Sequence, residues 1–165
     1  MNKPILVLLL LIASLALNAQ EEKFKALFLY NFSKNIEWPA DNRESFNVAV
    51  VGNSPVYGEL LVIAKKGKVG DLPISVKKVN SIAEVTGCNM VFVSNNKSSL
   101  IPEAAAKLSS LPVLLITENS TANQEGVGIR FIMVGGKLKF EISRKYTQKN
   151  GIKVSPSLFA LGSEI

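Results

Sequence analysis

FNVAVV (Phe46–Val51), running directly into Gly52-Asn53-Ser54-Pro55 and then VYGELLVIAKKG (Val56–Gly67), is the stretch on which the fold turns. Six residues, nearly all apolar and rich in valine, bounded by a charged segment and a glycine, have the length and branching of a buried strand. The polar loop that follows predicts a helix from about Pro55 to Lys66. Pro55 sits early, where its missing donor is harmless, Val56, Leu60 and Ile63 share one side, and Gly67 closes the helix. A buried strand, a short loop and an amphipathic helix make the opening half of a βαβ unit.

Working outward, the same rhythm recurs. Leu72–Val79 sets Ile74, Val76 and Val79 among lysines, which predicts a strand nearer the sheet edge. Ser81–Val85 has room for a turn of helix only. Met90–Val93 (MVFV) and Val113–Thr117 (VLLIT) read as buried strands, separated by a helix from near Ser99 to Leu108. A polar loop is expected over Glu118–Gly128. Strands alternating with helices predict a mostly parallel sheet with helices on both faces.

The rhythm breaks at IRFIMVGGKLKFEIS (Ile129–Ser143), where two strands are joined by Gly135-Gly136 alone, a strong hairpin signal. The register that loop dictates sets Met133 opposite Leu138, Phe131 opposite Phe140 and Ile129 opposite Ile142. On the other side it sets Arg130 opposite Glu141. Opposite charges so placed contribute about 0.2 to 1 kcal/mol and support the hairpin independently of the glycines. A closing helix is expected over Arg144–Lys149, stopped at Asn150-Gly151, with the apolar tail Ile152–Leu161 packing back.

Ahead of the alternation stands KALFLYNFSKNIEWP (Lys25–Pro39). Read as a helix ending at Trp38-Pro39, it spreads Leu27, Phe28, Leu29, Phe32 and Ile36 over roughly 200° of its circumference, so wide coverage is expected. Asn31 and Asn35 fall inside that arc and are expected to bond to specific partners, since buried amides without them cost about 1 to 3 kcal/mol each.

The first twenty residues, MNKPILVLLLLIASLALNAQ, carry Lys3, an apolar run and then small residues up to Ala19. This has the layout of a secretory signal peptide over residues 1–19, and its apolar core of about 13 residues is short of the roughly 20 that span a bilayer. The alternative is an uncleaved anchor. Cleavage leaves residues 20–165 as a single α/β domain, exported, with no segment of the mature chain expected to insert into the membrane. The net charge of +6 comes from singly spread lysines and arginines, without the basic and aromatic interleaving of a nucleic-acid groove. Cys88 is the only cysteine, so no intrachain disulfide forms. It reads as a buried thiol, with a reactive thiol as the alternative.

The chain has no histidine, which excludes Ser-His-Asp and Cys-His catalysis and histidine metal sites. Ser94-Asn95-Asn96-Lys97 has Ser-x-x-Lys spacing but follows a strand in a loop and lacks companion motifs. Gly52–Gly58 lies where α/β sheets bind ligands, without a phosphate-loop pattern. Glu37, Glu59, Glu84 and Glu141 are isolated from one another, so no acid/base pair is assigned. Trp38 reads either as a core residue or as an interface anchor. Arg130 and Glu141 read either as a surface ion pair or as part of a recognition face.

KALFLYNFSKNIEWP, the central TGCNMVFVSNN, and the late GVGIRFIMVGGKLKFEIS with NGIKVSPSLFALG together resemble the YfiR/HmsC-like family of exported bacterial proteins. The resemblance covers nearly the whole mature chain. It implies a small periplasmic α/β domain, not an enzyme, that regulates an inner-membrane signalling protein, typically restraining a diguanylate cyclase by binding its periplasmic portion; for this chain the expected partner is a diguanylate cyclase or a sensor kinase. No cofactor, metal or nucleic acid is expected, and a homodimer stays open. The chain departs from the family pattern in having Cys88 alone, Asn35 where an aromatic is commoner, and Ser143 where an asparagine usually follows Phe-Glu-Ile. Partner-binding candidates are Glu37 and Trp38 at the helix end, and Arg130, Lys139 and Glu141 on the charged hairpin face. The runner-up is a periplasmic small-ligand-binding module using the loops after Val51 and Val93.

Overall fold

The computed structural model describes residues 3–39, 42–118 and 126–165, with side chains from residue 19 onward. Residues 40–41 of the expected Pro39–Asn42 turn and 119–125 of the expected Glu118–Gly128 loop lie outside it. So do residues 1–2 and the side chains of residues 3–18 of the expected signal segment, while the backbone from Lys3 onward forms the start of the first helix.

The strand FNVAVV forms as expected (β2, Phe46–Val51) and feeds α2 (Val56–Ala64). On either side β2 pairs in parallel with β4 (Leu72–Val79) and β5 (Met90–Val93). Beyond β5 lie β6 (Leu114–Thr117) and β7 (Ile129–Val134), again parallel, and then the antiparallel β8 (Lys137–Ile142). Two-residue strands finish the edges: β3 (Lys68–Val69) beside β4, and β10 (Ser163–Glu164) beside β8. The order β10-β8-β7-β6-β5-β2-β4-β3 is that of a mixed sheet whose centre is parallel.

The chain leaves β2 in one direction to reach β4 and leaves β5 in the other to reach β6. With right-handed crossovers, α2 and the β5–β6 helix α3 (Ile101–Leu108) therefore cover opposite faces. A 3-10 turn over Ile82–Glu84 and a 3-10 segment over Asn95–Leu100 complete the crossings. The closing helix α4 spans Arg144–Lys149, where Ser143 accepts a cap bond from the Tyr146 N–H. The tail packs back through Ile152 and Leu158, with α5 at Pro156–Leu161.

The hairpin keeps the predicted register, with Arg130 across from Glu141, Phe131 from Phe140 and Met133 from Leu138. Both turn glycines have positive φ, 57° and 73°, the conformation a two-residue hairpin loop requires.

The first helix, α1 (Lys3–Asn35), differs from expectation in two ways. It stops before Ile36, because Ile36 and Glu37 form a strand (β1) that pairs antiparallel with β9 (Lys153–Val154). Its buried side is also narrower than roughly 200°: Lys25, Ala26, Leu29, Phe32 and Ser33 are buried, whereas Leu27 and Asn31 are exposed. Asn31 therefore needs no partner in the core, and Asn35 Nδ2 donates to the Asn31 carbonyl at 2.9 Å within the helix. Leu29, Tyr30 and Ser33 line a small gap together with Phe46, Val48 and Met90 of the sheet. Phe28 and Phe32 pack against Phe131 and Phe140, the closest rings being Phe32 and Phe140 at 4.8 Å. No helix among the described residues is long and apolar enough to cross a membrane.

Candidate functional site

Beyond the β2 and β5 carboxyl ends, where the strand order reverses, α/β sheets usually open a ligand crevice. Here it is stitched together. Ser94 Oγ donates to the Val51 carbonyl (2.7 Å), and Asn96 Nδ2 donates to the Asn53 carbonyl (2.7 Å). Gly52, at φ +97°, lies so close that a Cβ there would stand 2.4 Å from Ser94 Oγ and 2.5 Å from Asn96 Oδ1. The loops after Val51 and Val93 therefore bond to one another across the position proposed for a small ligand.

Next to this seam, α1 is tied across the strand ends by a buried lysine. Lys25 Nζ meets Glu21 and Glu22 at 2.8 Å each and Glu118, just past β6, at 3.1 Å. The other Glu118 oxygen accepts the Asn95 N–H at 2.7 Å, and Ser54 Oγ donates to Glu22 at 3.3 Å. Burial pushes the Lys25 ammonium down, but the hydrogen bonds it donates to Glu21 and Glu22 and the charge of Glu118 outweigh it and hold the group above its ordinary value. Glu21, Glu22 and Lys25 stand at i, i+1 and i+4, a helical spacing from which the network could have been anticipated. Glu118 could not have been.

The hairpin rises past this end of the sheet. β6 and β7 are in register only at Ile116–Ile129 and Thr117–Arg130, so the rest of β7 continues without a parallel neighbour. Arg130 Nε donates to Glu141 Oε2, both side chains half-buried, and Lys139 is exposed on the same hairpin face. Arg130 also borders a cavity of about 430 Å³ lined by Ser109, Lys145, Tyr146 and Lys149. On the α1 side, Phe24, Phe28, Met133 and Leu138 line a groove of about 620 Å³. Sequence reasoning missed that groove, since nothing local to Phe24 or Met133 shows that they approach each other.

Glu37 and Trp38 are placed elsewhere. Trp38 Nε1 donates to the Asn89 carbonyl (3.2 Å), and its ring stands edge-on to Phe46 at 4.9 Å, at the amino ends of β5 and β2. It is half-buried, and Glu37 is exposed beside Lys153 in the β1–β9 pair. The structure thus brings Arg130, Lys139 and Glu141 together at the carboxyl ends of the parallel strands and sets Trp38, with Glu37 before it, at their amino ends. Cys88 is buried, and desolvation raises its thiol pKa against the opposing charges of Lys77 and Arg43. Among the described residues, no cluster of acidic, cysteine or histidine side chains is placed to hold a metal ion.

No curated protein matches the chain. The model of the YfiR/HmsC-like family matches residues 22–163, from Glu22, one of the α1 carboxylates that hold Lys25, to the first residue of β10, and the chain belongs to that family.

Proposed function

We propose that this protein is a non-enzymatic regulator, exported through a cleaved signal peptide over residues 1–19 to the periplasm. As a single domain over residues 20–165, it binds and restrains the periplasmic portion of an inner-membrane signalling protein, a diguanylate cyclase or a sensor kinase. The observation that carries this reading is family membership over residues 22–163. The stitched crevice agrees with it, because the usual small-molecule position of the fold is taken up by Ser94 and Asn96.

A regulator shifts a two-state receptor only by its differential affinity for the two states, so this one binds the restrained state better. Moving a receptor from 1:99 to 99:1 takes about 5.5 kcal/mol of difference. The hairpin face with Arg130, Lys139 and Glu141 is the partner surface of first choice, and Glu37 and Trp38 form a second one at the other end. Recovery of one membrane signalling protein with the native, tagged chain, together with raised cyclic di-GMP or kinase output when the gene is deleted, tests the reading. Absence of any signalling protein and unchanged output would overturn it.

A further inference from the structure

We infer that the tip of the β7–β8 hairpin and the adjoining turn of α1 form a docking element for an anionic phospholipid surface. Four residues of β7 run beyond its last pairing with β6, an extension of roughly 14 Å. At its end Met133 and Val134 are 55% and 46% exposed, and beside them on α1 Phe24 is 47% exposed. These side chains rim or flank the groove of about 620 Å³, an apolar prominence that nothing in the fold covers among the described residues.

The charges around it select the occupant. Lys137 and Lys139 are exposed just behind the tip, with no ion pair among the described residues, as is Lys23 on α1. The acidic group of the groove, Glu21, is held by Lys25. Apolar residues leading and lysines behind them suit a surface that offers hydrocarbon beneath negative headgroups. The tip enters the headgroup layer only, which is distinct from a spanning segment.

The inference does not depend on which signalling protein is bound, because the test contains none. The exported protein is sedimented with vesicles of phosphatidylglycerol and phosphatidylethanolamine, and separately with phosphatidylcholine vesicles. It is expected to bind the first and not the second, and to be released by salt. M133D/V134D is expected to weaken binding at least tenfold, and K137E and K139E by about fivefold or more each. V62D, which changes an exposed apolar residue on α2, leaves binding unchanged, and unfolding midpoints confirm that each variant is folded. No sedimentation at low salt, equal binding by the tip variants, or an equal loss in V62D would overturn the inference. So would a tip-dependent dimer without vesicle binding, which would assign the groove to a second copy.

Discussion

Tyr146 takes the place of a strand neighbour for Leu115: its hydroxyl accepts the Leu115 N–H at 3.2 Å and donates to the Val113 carbonyl at 2.8 Å. β6 and β7 come into register only from Ile116, so the start of β6 is satisfied by a side chain from α4 instead of a strand. Y146F strands two buried backbone groups, each worth about 1 to 3 kcal/mol. Urea unfolding is expected to show a loss of about 2 kcal/mol or more, and a change under 0.5 kcal/mol, about the scatter of ordinary surface substitutions, would contradict this reading.

The same residue gives a pH dependence. Burial pushes the Tyr146 phenol above its ordinary value, with the Leu115 bond opposing. A folded pKa raised above the unfolded one means stability that is complete below pH of about 10 and is lost as pH rises from there toward the folded value. The stability difference between the wild type and Y146F is therefore constant through neutral pH and shrinks above about 10. A difference growing with pH would reverse the sign.

Lys25 is expected to be the costliest single charge to remove. K25M leaves Glu118 and two helix carboxylates crowded without their cation, a loss of about 3 to 5 kcal/mol for breaking a buried pair. K25M/E118Q should recover part of it. Denaturant titrations of both variants check this, and additive losses would show that the groups are not coupled.

Two glycines are expected to respond in opposite directions. G52A meets Ser94, Asn96 and Lys97 within 2.6 Å in a positive-φ conformation and should cost more than about 2 kcal/mol. G58A, in α2 with nothing within 4 Å, should stabilise by up to about 1 kcal/mol through helix propensity. Thermal unfolding of the two variants checks the contrast.

The buried Cys88 thiol, raised by desolvation, is expected to resist alkylation in the folded protein at pH 8 and to react fully once unfolded. Rapid labelling of the native protein would mean that the thiol is accessible.

The central strands were legible because each is a short, continuous branched apolar run, and the hairpin register because Gly135-Gly136 and the Arg130–Glu141 pairing agree. The end of α1 was not. Ile36-Glu37 continues an apolar helical pattern, and only pairing with Lys153-Val154, over a hundred residues away, makes it strand. The α1 face was misjudged because Leu27 is apolar and exposed, so composition widened an arc that packing narrows. Of the candidate surface residues, those on the hairpin could be grouped from its register. The distance of Glu37 and Trp38 from them depended on which end of the sheet α1 reaches.

The sheet edges have a colloidal consequence. β3 covers only Leu72 and Pro73 of β4, and β10 covers only Glu141 and Ile142 of β8, so Ile74–Val79 and Lys137–Phe140 keep bare outer sides among the described residues. Each bare segment carries two lysines: Lys77 and Lys78 on one, Lys137 and Lys139 on the other. Two copies meeting edge to edge would set ammonium against ammonium before any backbone bond could form. Part of the diffuse positive charge of the chain thus acts as a barrier to fibrous self-association, one that added salt would lower.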